Sequence, residues 1–266
     1  MKVGTRTLAF CPCAVTHITD MNRGTKLPPP FPFLLASRRG ELTALDTYPS
    51  SDLAAIISDV GFHCDCCARC CTRKFNGHVL LLDEDVMRIR SCEPEALEPV
   101  PVVDFCDQHG TYYASGYTIR TRGDPEGSCH FLKERTCRIY DKRPAVCRVY
   151  PYMLHQEPDE EGNVDWRQIS GLDQHGEYHT SITGEDALRI AIETKIFEDA
   201  ALTREVAYLE YTGNYFLCND LRHVRKKYDD GLRRASERDE IEVMVYFQGI
   251  FEPWIIKAGT AVQKTT

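Results

Sequence analysis

The stretch FHCDCCARCC, Phe62–Cys71, places five of the chain's thirteen cysteines within eight consecutive positions. A hydrophobic core does not require this. Free cysteine packs as a small apolar side chain, and its reactivity usually decides why it is kept. The run reads as one half of a metal site. Cys64, Cys67 and Cys70 follow a C-x2-C-x2-C spacing, with Cys71 adjacent and Cys66 interleaved. Two-residue spacers turn successive thiolates onto one ion or cluster. Bacterial iron–sulfur runs begin with the same spacing and take a ligand from elsewhere, and zinc sites close a C-x2-C pair with a second, distant pair. Neighbouring residues of an extended backbone point to opposite faces, so Cys70 and Cys71 either serve different metals or the chain kinks to bring both to one.

Working outward, the composition allows an ordinary core. The chain has 266 residues, 42% hydrophobic and 27% charged, with a formal net charge of -8. A chain of this size does not depend on disulfides as small secreted domains do. The acidic balance argues against a nucleic-acid partner, whose recognition calls for a basic face. The N-terminal LAFCPCAV is interrupted by Pro12, and no apolar run approaches the length of a membrane span. The expectation is a cytoplasmic protein that does not enter the membrane, in a compartment where clustered thiols bind metal more often than they bridge.

The other half of the site is sought in SCHFLKERTCRIYDKRPAVCRVYPY, which carries Cys129, Cys137 and Cys147. The spacing predicts a hairpin through KERT with Cys129 and Cys137 on or beside its strands. Asp141 and Pro144 signal a short helix carrying Cys147, closed by Pro151. Lys133, Arg135, Arg138, Lys142 and Arg143, followed by Arg148, outnumber Glu134 and Asp141 here. Such an excess suits a collection of thiolates, which needs nearby donors and cations.

Elsewhere, LPPPFPF at Leu27–Phe33 reads as part of a disordered, extended arm. SSDLAAIISDV predicts a helix ending at Gly61, HVLLL a short strand, and DEDVMRI a helix capped by Asp83. TYYASGYTIRTRG reads as β structure interrupted at Gly116. HQEPDEEGNVDW reads as an acidic loop. A helix is predicted from Glu185 to about Tyr211, with Leu188, Ala191, Ile192 and Ile196 as its apolar residues, and a second from about Tyr215 to Arg238 with surface pairs Asp229–Arg233 and Asp230–Arg234. IEVMVYFQGI, Ile241–Ile250, reads as a terminal strand. Cys92 and Cys106 read as packed core thiols. His63 and His130, adjacent to cysteines, are the histidines placed to ligate or to donate to sulfur, whereas His78, His109, His155 and His179 read as ordinary surface or hydrogen-bonded residues.

The ordered series CDCCARCC, LLDEDVMRI, CHFL, TCRIY and RPAVCRVYP resembles the YkgJ-like cysteine cluster family, described as a zinc- or iron-chelating domain. The resemblance covers roughly residues 62–152, with weaker similarity to about residue 190. It implies Cys64, Cys67, Cys70, Cys71, Cys129, Cys137 and Cys147 as metal ligands, framed by Arg143, Pro144 and Arg148. The family's further cysteine, in a C-P-G motif, has no counterpart: Ile169 or Ser170 stands there, leaving Cys66, Cys218, Asp173 or His175 to replace it. The cluster region is also similar to that of flagellin lysine methylases, which use S-adenosylmethionine, but no glycine-rich cofactor loop accompanies it here.

The expected fold is α+β: a Pro-containing arm over 1–46, a metal-stabilised cysteine-cluster domain of short strands and helices over 47–175, and a mainly helical region over 176–266 with two longer helices packed on that domain. The expected function is chelation of an iron–sulfur cluster, [4Fe-4S], or of Zn2+, for electron transfer or to support a partner protein or redox enzyme. The alternatives are a methyltransferase carrying the same cluster domain and a structural zinc site in an interaction protein. No catalytic residue is identified.

Overall fold

In a computed structural model, which describes residues 26–158, 164–169, 172–229, 240–257 and 260–263, the proline-rich stretch opens a helix. Helix α1 spans Phe31–Thr47, which corrects the expectation of a disordered arm reaching residue 46. Pro30 precedes it and Pro32 falls in its first turn, where a missing N–H leaves no helical hydrogen bond unmade. The prolines set a helix start. Cys11 and Cys13 lie outside the described residues.

Helix α2, Ser50–Val60, follows as the apolar spacing predicts and ends at left-handed Gly61, whose N–H donates to Ile57 O. After a short helix α3, Arg73–Asn76, His78–Leu82 makes only a single bridge, Leu80 to Thr118, where a strand was expected. Helix α4, Asp83–Cys92, begins one residue earlier than a cap at Asp83 requires. Leu82 occupies that position, and the Asp83 carboxylate accepts from Arg204 Nε at 2.8 Å instead. Cys92 ends α4 exposed, contrary to the expectation of a core thiol, whereas Cys106 is fully buried.

The strands are β1 Leu97–Pro99, β2 Phe105–Cys106, β3 Tyr112–Ala114, β4 Tyr117–Ile119, β5 Leu132–Lys133 and β6 Thr136–Cys137. Helix α5, Ala145–Val149, is followed by β7 Tyr152–Pro158 and β8 Val164–Ile169, an antiparallel pair in place of the expected acidic loop. Near the C-terminus come β9 Ile241–Phe247, β10 Ile250–Lys257 and β11 Thr260–Gln263. The main sheet has the order β11-β10-β9-β3-β2, with β3 and β9 parallel and every other pair antiparallel. The expected terminal strand breaks at Gln248-Gly249. Both residues take positive φ and close a two-residue hairpin between Phe247 and Ile250.

The long helix α6, Gly184–Cys218, is the spine of this α+β fold and extends about 50 Å at 1.5 Å per residue. Thr183 caps it by accepting from Asp186 N. The expected break before Tyr215 does not occur. Thr212 and Gly213 are buried on the face that α1 covers, so tertiary packing carries the helix through a weak helix-forming sequence. The expected apolar face is turned away: Leu188, Ile192 and Ile196 are exposed, while Ala187, Ala191, Thr194 and Phe197 are buried. Small alanines let α2 approach closely. The predicted second helix from Tyr215 does not form as one element: its first residues belong to α6, residues 219–224 are turn and coil, and a short helix occupies residues 225–229, where Asp229 pairs with Arg225 at 3.3 Å; Asp230, Arg233 and Arg234 lie outside the described residues. Among its described residues, the C-terminal region thus carries one long helix, the short helix at 225–229 and three strands.

Three apolar clusters position the rest. One joins α1, the C-terminal half of α6 and the main sheet through Phe31, Phe105 and Phe216; a second joins α2, β7 and the N-terminal half of α6. The third lies under α4, β1, β4 and β9, and Cys129, Cys137 and Ile139 pack on it.

Candidate metal centre

The first cysteine segment is bent by its own backbone. His63 and Glu177 exchange both backbone hydrogen bonds, at 2.8 and 2.9 Å, which anchors the start of the run to residues 172–180. At Gly61, a Cβ would lie 2.1 Å from Thr180 O, so only glycine allows this approach. Asp65 Oδ1 accepts from Cys67 N at 2.9 Å, and Cys66 and Ala68 take positive φ, which curls the loop back on itself. A 3-10 turn at Arg69–Cys71 follows. The kink that sequence left open is present: Cys70 Sγ and Cys71 Sγ lie 4.0 Å apart.

The second segment meets the first at that turn. Cys129 N donates to Cys71 O at 2.8 Å, beside a bridge between Thr72 and Ser128. Cys137 pairs with Leu132 across the short β5–β6 hairpin, as the KERT spacing predicts. Cys147 stands on α5, whose first N–H, that of Ala145, donates to Asp85 Oδ2 at 3.0 Å. The buried Asp85 also pairs with Arg88, so α4 fixes the helix that presents Cys147.

Cys71, Cys129, Cys137 and Cys147 form one electrostatically coupled group drawn from both segments. Burial, then the charges of Cys71 and Cys137, push the Cys129 thiol up to about 11. Burial, then Cys129, Cys71 and Cys137, raise Cys147. Burial and Cys71 raise Cys137, and Arg143 opposes the rise at Cys71, Cys137 and Cys147. The raised values favour neutral thiols here, so any metal bound at this group would have to displace their protons and would bind more weakly as pH falls.

The remaining predicted residues sit around this group. Cys70 adjoins Cys71, and Cys67 and Cys70 both act on the hydroxyl of Tyr178, which burial and Asp173 push up to about 12. Cys64 lies on the exposed rim, coupled to Cys66. The basic excess is used: Arg135 Nε donates to Cys66 O, and Arg143 Nε donates to Tyr140 O with its guanidinium over the Tyr140 ring. His130 Nε2 and Arg138 Nη2 each lie 2.8 Å from Glu93 Oε1, so one carboxylate at the end of α4 holds the neighbours of Cys129 and Cys137. With Glu95, this is the one trio of His, Cys, Asp or Glu donors within 4.8 Å of one another among the described residues, and Arg138 already compensates its charge.

Of the replacements considered for the missing cysteine, Asp173 faces His179 at 3.6 Å and Cys218 ends α6 exposed. His175 is buried among the rings of Phe62, Phe75, Tyr150 and Tyr178. Ile169 ends β8 opposite Tyr152, and Ser170 lies outside the described residues.

The residue that sequence reasoning passed over is His78. It lines a small pocket with Cys70, Cys71, Cys129 and Arg73. His78 Nδ1 and Arg73 Nε are both buried without a hydrogen-bond partner. Burial and the Arg73 charge lower the His78 pKa to about 4, leaving a neutral ring at neutral pH. Six residues separate His78 from the end of the cysteine run, and no spacing rule flags it.

Residues 63–170 match the model of the CxxCxxCC family, whose description reads "putative zinc- or iron-chelating domain". The match covers 108 of the chain's 266 residues, and the family is the YkgJ-like cysteine cluster family that the ordered cysteine motifs resemble. No curated protein and no solved structure matches the chain. The residues present suit such a metal: soft thiols converge from two segments, and orphaned nitrogens line the pocket beside them. Among the described residues, no helix is long and apolar enough to cross a membrane.

Proposed function

We propose that this protein chelates an iron–sulfur cluster, [4Fe-4S], through cysteines of both segments and serves electron transfer or the support of a partner redox enzyme. Residues 47–175 act as the chelating unit in this reading, and the seven cysteines Cys64, Cys67, Cys70, Cys71, Cys129, Cys137 and Cys147 are its candidate ligands. The observation that carries the reading is the coupling of Cys71 with Cys129, Cys137 and Cys147 across more than fifty residues of sequence. The C-x2-C-x2-C spacing of Cys64, Cys67 and Cys70, with which bacterial iron–sulfur runs begin, supports a cluster.

When bound, a cluster supplies one-electron chemistry. The chain's own residues hold it: α4 fixes α5 through Asp85, the hairpin presents Cys137, and Arg143 offsets thiolate charge. Iron, zinc and acid-labile sulfide counted per chain in anaerobically purified protein test the proposal. Iron with sulfide and broad absorbance near roughly 400 nm is the expected result. A colourless protein with one zinc per chain replaces it with a structural zinc site, and metal-free protein of undiminished stability overturns both.

A further inference from the structure

Among the described residues, the buried side-chain atoms without a hydrogen-bond partner include two from residues lining one pocket, His78 Nδ1 and Arg73 Nε. An orphaned buried donor or acceptor costs about 1–3 kcal/mol, so two in one place call for an explanation. The same pocket is walled by Cys70, Cys71 and Cys129. Cysteines of both segments and the two residues that carry orphaned nitrogens thus line one pocket.

The backbone holds His78 there from both sides. Gly77 N donates to Arg73 O at 2.9 Å, closing α3. Beyond the histidine, Thr118 Oγ1 donates to Val79 O at 2.7 Å and Leu80 bridges Thr118. Only His78 lies between the anchored residues Gly77 and Val79, which leaves the imidazole little freedom to leave the pocket. Arg73, which lines the same pocket, is held by Glu98, to which its Nη2 donates at 2.7 Å.

We propose that His78 supplies a nitrogen ligand to the metal centre, making the site a mixed thiolate–imidazole one, and that Arg73 Nε donates a hydrogen bond to a metal-bound sulfur. This rests on the chelating function proposed above. It answers the absence of a cysteine at Ile169 or Ser170 with a residue from the opposite side of the cluster in sequence. Imidazole nitrogen is an ordinary ligand for both zinc and iron. On an iron–sulfur centre, exchanging a thiolate for a neutral imidazole removes a negative charge and raises the reduction potential.

The test compares wild type, His78→Ala, His78→Cys and a control, His109→Ala, all purified anaerobically with 15N-labelled histidine. Pulsed EPR is recorded on the dithionite-reduced protein if it contains iron, and on Co2+-exchanged protein if it contains zinc. The expected result is a histidine-nitrogen coupling in wild type and His109→Ala that disappears in both His78 variants. His78→Ala should also lose metal to a chelator at least tenfold more readily, and His78→Cys should keep its metal at a lower potential. A metal-loaded wild type without histidine coupling overturns the inference and leaves the chelating function standing, as does coupling that survives in His78→Cys. Metal-free wild type overturns both. If His78→Ala fails to fold, the wild-type spectrum and His78→Cys still decide.

Discussion

The cysteine region and the helix–sheet body of this protein are built on different principles. Around the thiols, the elements are a four-residue helix α3, two-residue strands β5 and β6 and a five-residue helix α5. None is long enough to stand alone, because a helix of one turn has barely repaid its nucleation and an isolated hairpin is marginal in water. The body has α6, α1 and a five-stranded sheet, with Phe31, Phe216, Val243 and Val245 fully buried. Apolar burial specifies the body. The cysteine region takes its shape from backbone bridges and from whatever its thiols bind, so the two regions should respond differently to the same perturbations.

Removal of metal by a chelator under reducing conditions should have the largest effect and the most uneven one. Hydrogen exchange is expected to accelerate strongly at residues 62–80 and 128–150 while amides of α6 and β9 keep their protection, because structural metal binding is worth on the order of 10 kcal/mol to small sites. Uniform exchange across both regions would abolish the distinction.

The converse perturbation is Phe31→Ala, which empties a fully buried site between Phe105 and Phe216. It should destabilise the protein to urea by about 3–5 kcal/mol with metal content per chain unchanged. Loss of metal in proportion to stability would show that the regions are one cooperative unit.

Asp104 sharpens the contrast by pH. It belongs to the body beside α6, and burial, with the charge of Glu205 adding, pushes its carboxyl up to about 6 from 3.8. A raised folded-state pKa means the protonated form fits best. The associated stability is complete below about pH 4 and is lost as pH rises through about 6. Asp104→Asn, which mimics the neutral form, should therefore stabilise the protein by about 2 kcal/mol at pH 7.5 and by nothing at pH 4, read from urea midpoints at the two pH values. An equal effect at both pH values would remove the carboxylate as the cause. The smallest effect belongs to Thr183→Ala: loss of the α6 cap should cost about 1 kcal/mol and leave the thiol region untouched, as thermal unfolding and metal content will show.

The parts of the site legible in sequence were those encoded locally. The C-x2-C-x2-C spacing, the KERT hairpin and the Pro144 helix start each declare themselves within a few residues, and the structure contains the hairpin and the helix at those places. His78 did not announce itself, because its place beside Cys70, Cys71 and Cys129 follows from α3 reversing the chain and from the bridge to Thr118. In the body, the proline cluster was misread because prolines that disfavour a helix interior are accommodated in its first turn. Helix α6 was found and Ala191 among its named apolar residues is buried, but Leu188, Ile192 and Ile196 are exposed, because close packing against α2 selects the small Ala187 and Ala191 over larger side chains.

By itself, the sequence determined that thiols cluster in two segments, that an α+β fold carries them, and that metal chelation is their chemistry, since these follow from residue type and short-range spacing. Only the tertiary structure decided which thiols share one electrostatic neighbourhood, which helix face is covered, and which histidine stands at the pocket. Those outcomes depend on segments distant in the chain coming into contact, and no local pattern encodes the burial and orphaned donors that such contact creates.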